Sequence, residues 1–270
     1  MIGHLAAFLG GSLVVIGIVV LFLVAMVAVR VPVGSPGFGP SLTAATEDPT
    51  YIGPATLLQG VGLTALAFLL GRALPRDPDD RLADVLGLRP ASFVWLATAV
   101  VGGLLVWIWP SWFAAQLIEL TGLDSTVATI GELLVGPLWK TWAMIAAVAI
   151  GAPVSEELLF RGYLWRLVEL TSGSRGAAFV VTTLLFALYH MDPIHVVALL
   201  PTAAFLGWLR WTSGSLWPSI LAHFANNAIA VVVVQFMPRE TAGALVSFAG
   251  GAAFLAVVGL GAWLSRSRSS

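Results

Sequence analysis

The chain has 270 residues, of which 59% are hydrophobic and only 10% charged, and its mean hydropathy is +0.95. Soluble domains carry about 25% charged residues, so this chain could not cover a water-facing surface and reads as a polytopic membrane protein. A net charge of -1 gives no field that would draw nucleic acid, and the absence of cysteine excludes disulfides, thiolate metal sites and cysteine nucleophiles.

The apolar run from Leu5 to Val29 is too long for the apolar core of a signal peptide and is expected to be a retained first helix. Residues Val31 to Thr50, rich in Pro and Gly, read as an exposed loop, and Tyr51 to Leu70 as the second span. Arg72 to Arg89 mixes both signs of charge and reads as a solvated connector. Ala91 to Trp109 is a third span ended by Pro110, and Ser111 to Glu132 an interfacial segment. A fourth helix is expected from Leu133 to about Leu170, a fifth over Gly176 to His190 and a sixth over His195 to Trp211. Leu216 to Met237 and Thr241 to Leu264 complete eight spans in an all-α fold. These divide into N-terminal helices over 1–132, a core over 133–237 and a last helix with its tail over 238–270.

With eight spans, one side carries Arg72, Arg76, Arg81, Arg89, Arg161, Arg166, Arg175, Arg210, Arg266 and Arg268, and the other only Arg30, Lys140 and Arg239. The positive-inside rule then places both termini in the cytoplasm, as in a bacterial inner membrane protein.

Against this apolar background, three polar constellations mark a site. Glu156-Glu157-x-x-x-Arg161 sets two carboxylates and an arginine in a spanning helix, where ionisable groups are costly and functional by default. Glu157 and Arg161, four apart, can pair; Glu156 points about 100° away without a basic partner in its own helix. Phe186-x-x-x-His190 lies on the fifth span, and His223-x-x-x-Asn227 sets both polar groups on one face of the seventh. At ~1.5 Å per residue from the cytoplasmic ends, His223 and Asn227 lie roughly 10–17 Å deep and His190 roughly 21 Å deep. Glu156 reaches a similar depth if its helix stays regular to about Leu170. His195, beside Asp192-Pro193, reads as incidental.

No Ser-His-Asp arrangement is evident, and no H-E-x-x-H zinc helix is present. Water activation remains: a partly desolvated Glu156 as general base with His190 beside it, and His223 with Asn227 as donors to an oxyanion. Amide hydrolysis gives every member a role. A non-proteolytic immunity or scaffold protein and a cation- or proton-coupled transporter are the other readings.

The three motifs, in order and on separate helices between Ala152 and Asn227, resemble those of the CPBP family of intramembrane proteases. That family comprises the type II CAAX prenyl endopeptidases and bacterial relatives linked to bacteriocin processing and immunity. The resemblance implies about eight helices around a conical cavity open to the cytoplasm and the membrane. It implies Glu156 and His190 as catalytic residues, His223 with Asn227 as the oxyanion site, and Glu157, Arg161 and Phe186 as support. The expected substrate is a membrane-anchored or other peptide, CAAX-type or not, and no cofactor is required. Zinc held by Glu156, His190 and His223 stays open as the alternative.

Overall fold

The computed structural model describes residues 2–77, 79–123 and 125–267, with the backbone alone at 2, 126–129 and 254–267. Among the described residues the chain is helical, with no strand. α1 spans Ile2–Ala28, α2 Phe38–Thr46, α3 Pro49–Arg72 and α4 the single turn Leu82–Val85. α5 (Phe93–Val106) runs into α6 (Ile108–Thr121), and α7 (Thr126–Leu134) follows. α8 is one helix of 35 residues, Leu138–Ser172. α9 (Arg175–Leu188), α10 (Pro193–Ser213), α11 (Trp217–Phe236) and α12 (Arg239–Ser267) complete the chain.

Six helical stretches are long and apolar enough to cross a membrane: α1, α3, α5–α6, α8, α10 and α11. The protein is an integral membrane protein. The expected fifth span is an apolar helix of 14 residues, Arg175–Leu188, short of the ~20 that a bilayer requires. The expected eighth span falls within α12, where Trp263 and Arg266 lack described side chains and Arg268 lies outside the described residues. Six of the eight expected spans thus reach full length among the described residues.

One boundary differs from the sequence reading because of where a proline falls. Proline in the first turn of a helix lacks an N–H that would be unsatisfied there anyway. Pro110 is the third residue of α6 and does not end the span; the helix continues to Thr121, and Gly122 caps it in the left-handed region. α6 packs into the bundle, with Ala114 on Ile194 and Ala198 of α10. The 31–50 loop likewise folds α2 back, seating Ala45 against Leu23 and Val27. Nor is the charged connector fully solvated: Val85 and Leu86 are buried in the main core beside Leu159 and Leu216.

α8 runs through the bundle with α3, α9 and α11 against it. Small residues allow the closest crossings, as in membrane bundles generally. A Cβ on Gly53 would stand 2.7 Å from the backbone nitrogen of Met144, and one on Gly103 would strike the carbonyl of Ala222. The α5–α11 crossing thus fixes the helix that carries His223 and Asn227.

α8 is continuous past Arg161, as the sequence demands, but it is not regular. Two π-helical segments, Ala147–Gly151 and Leu158–Leu164, flank the stretch Ala152–Glu157. Pro153 has no N–H for the ladder, which loosens the turn before it. In both π segments a neighbouring side chain takes a backbone carbonyl: Asn227 Nδ2 donates to Val148 at 2.8 Å, and Arg210 Nε to Arg161 at 3.1 Å. A side chain inserted into the helical ladder is a recognised cause of such distortion, and π-bulges concentrate at functional sites.

Candidate active site

A cavity of about 440 Å3 opens between α3, α6, α8, α10 and α11, and Glu156, His190, His223 and Asn227 all line it. Four polar residues from well-separated stretches of sequence thus share one apolar chamber. Glu156 is half-buried on α8. His190 lies in the turn just after α9, before Met191, whose φ of 53° starts the reversal into α10. His223 and Asn227 stand one turn apart on α11.

Hydrogen bonds fix the two imidazoles. His190 Nδ1 is 3.0 Å from the carbonyl oxygen of Phe186. A carbonyl only accepts, so Nδ1 carries the proton and Nε2 is the nitrogen left for the cavity. His223 Nδ1 is 3.2 Å from Glu157 Oε1, which leaves its Nε2 in the same way. That oxygen also accepts from Arg161 Nη1 at 2.9 Å, and both members of this ion pair are fully buried. Arg161 Nη2 donates to the carbonyl of Ala203 on α10 at 2.9 Å. Glu157, expected only to pair with Arg161, therefore also reaches across to α11.

Phe186 joins these groups through its ring. The Arg161 guanidinium lies 4.1 Å from the ring centroid, and the ring meets His190 and His223 edge-on at 5.3 and 5.7 Å. Asn227 is held at both ends of its amide. Its Nδ2 donates to Val148, and its Oδ1 accepts from Asn226 Nδ2 at 3.0 Å. One Nδ2 proton of Asn227 is left for the cavity.

Two residues the motifs did not single out also line this chamber, Asn226 and His195. The His195 ring lies 4.7 Å from that of His190. Asp192 seats it, accepting from the His195 backbone N–H at 2.9 Å and from Ser125 Oγ at 2.8 Å. The helix-capping pattern Asp192-Pro193 was legible; its proximity to His190 depends on a chain reversal that spacing does not encode.

The chamber runs from mid-bundle, where His223 stands about two turns into α11, to one end of the bundle. Its wall includes Ile52 near the start of α3, Pro110 in the first turn of α6 and His195 at the start of α10. These helix ends lie opposite those bearing Arg72, Arg175 and Arg210.

Residues 138–229 match the family model described as type II CAAX prenyl endopeptidase Rce1-like. The match supports the CPBP family. It covers about a third of the chain, and all three motifs fall inside it. No curated protein and no solved structure matches the chain. Among the described residues no group of three His, Asp or Glu side chains is close enough to hold a metal ion.

Proposed function

We propose that the chain is an intramembrane endopeptidase that hydrolyses a peptide bond of a membrane-associated substrate, CAAX-type or another anchored peptide, with water activated by Glu156. The observation that carries this reading is the convergence of Glu156, His190, His223 and Asn227 on one apolar chamber within the matched segment.

Glu156 accepts one proton of a water molecule while His190 Nε2 accepts a hydrogen bond from the other, and the water oxygen attacks the peptide carbonyl carbon. Asn227 donates its remaining Nδ2 proton to the resulting oxyanion, joined by His223 Nε2 when that ring is protonated. Collapse of the tetrahedral intermediate breaks the C–N bond, and Glu156 passes its proton to the leaving amine. General acid–base catalysis of this kind contributes about 10²–10⁴-fold, and one oxyanion donor about 10²–10³-fold.

The test is cleavage of a quenched membrane-peptide library by purified protein, wild type against Glu156→Ala and His190→Ala. Both variants should fold and lose cleavage. A folded wild type that cleaves nothing while driving ion flux in vesicles would replace protease with transporter.

A further inference from the structure

The opposite, arginine-bearing end of the bundle holds a second cavity, of about 330 Å3, where the 80–89 loop folds against the ends of α8, α9 and α10. Its walls carry Arg89, Arg166, Arg175 and Arg210 against the carboxylates of Asp80, Asp84 and Glu169, leaving one excess positive charge. Most of these charges answer one another at the rim. Arg89 pairs with Asp84 at 3.6 Å, and Glu169 accepts from Arg166 at 3.3 Å and faces Arg175 at 3.6 Å.

Arg210 is different. It is only 7% exposed, and among the described residues no carboxylate lies within ion-pair distance of it. Its guanidinium stands 5.6 Å from the Trp165 ring centroid, and its Nε is committed to the carbonyl of Arg161. The Nη groups are the donors left to the cavity that it lines. Gly87, at φ +79°, makes room for them, since a Cβ there would come within 2.6 Å of Nη2. A buried cation that only Glu169 offsets, from beyond ion-pair distance and against three neighbouring arginines, is unfavourable, and a planar guanidinium fork suits phosphate oxygens.

We propose that this cavity binds one phosphate-bearing anion, either the headgroup of an anionic phospholipid or a free phosphate. Basic pockets between helix ends at the cytoplasmic side are recognised headgroup sites, and a phosphodiester carries the single negative charge that the lining lacks. The site does not depend on peptide hydrolysis at the other cavity.

The experiment uses the full chain, purified and delipidated in detergent, with bound lipid read by native mass spectrometry and stability by thermal unfolding. The arms are phosphatidylglycerol, phosphatidylcholine and inorganic phosphate. Wild type should retain phosphatidylglycerol selectively over phosphatidylcholine and gain several degrees in Tm from it. Arg210→Gln, and separately the double variant Arg89→Gln/Arg175→Gln, should weaken that binding about tenfold or more. Because Arg89 and Arg175 lie at the exposed rim, the double variant decides the matter even where Arg210→Gln does not fold. Stabilisation by inorganic phosphate alone, lost in the same variants, supports the site and assigns it the soluble ligand. Equal retention of the two lipids without a phosphate effect, or undiminished binding by the double variant, overturns the proposal.

Discussion

His223 Nδ1 stands 3.2 Å from Glu157 Oε1, an oxygen that Arg161 Nη1 already holds at 2.9 Å. One buried carboxylate thereby ties α8 to α11 and sets the orientation of an imidazole that lines the chamber. Removing one partner of a buried ion pair leaves an uncompensated charge and costs about 3–5 kcal/mol. Glu157→Ala should therefore lower Tm sharply, whereas the double variant Glu157→Leu/Arg161→Leu should be the more stable of the two. Thermal unfolding in mild detergent checks this; a double variant that is less stable than the single one refutes the account of the pair as a positioning device.

Glu156 should behave in the opposite way. It is half-buried rather than sealed, so Glu156→Gln should leave Tm close to wild type while cleavage falls about 10²–10⁴-fold. A parallel fall in stability and activity would move Glu156 from chemistry to architecture.

Asn227 and Asn226 offer a finer separation. Asn227→Ala removes the remaining amide proton from the chamber and the bond to Val148, and should cost about 10²–10³-fold in kcat. Asn226→Ala removes only the donor that orients the Asn227 amide, so its loss should be smaller and partly restored in Asn226→Gln. Equal losses in kcat for Asn226→Ala and Asn227→Ala would mean that Asn227 also acts only through packing.

Chelation tests the chemistry without mutagenesis. Protein purified after exposure to a strong chelator should cleave at the rate of untreated protein, and added zinc should not raise it. Activity lost on chelation and regained with zinc would replace metal-free water activation with zinc held by Glu156, His190 and His223.

The polar members of the site were legible because charge is costly inside a membrane span. Glu156, His190, His223 and Asn227 stood out against an apolar background, and the Glu157–Arg161 spacing announced a pair. What spacing could not show was tertiary. The link from Glu157 to His223 joins residues 66 positions apart, and His195 approaches His190 through the Met191 reversal. The π segments were hidden for a similar reason, since the side chains that take carbonyls from α8 come from α10 and α11. Pro110 misled because its position within a helix, not its presence, decides whether the helix stops.

The side of the membrane that the chamber faces is the remaining question, and two sequence expectations conflict over it. Charge bias places the arginine-bearing helix ends in the cytoplasm, whereas the family resemblance implies a chamber open to the cytoplasm. In this structure the chamber reaches the helix ends away from those arginines at Ile52 and His195, so thiol accessibility at the two ends tests one expectation against the other. The chain has no cysteine, which makes single introduced thiols unambiguous reporters. Met191 is 84% exposed beside the chamber, and Arg76 is exposed in the loop at the other end. Met191→Cys should react with a membrane-impermeant thiol reagent in intact cells, and Arg76→Cys only after the membrane is opened. The reverse pattern would mean that the arginines do not set the topology and that the chamber faces the cytoplasm. Labelling of both from one side would mean that the 14-residue α9 does not cross, since α5–α6, α8 and α9 intervene between Arg76 and Met191.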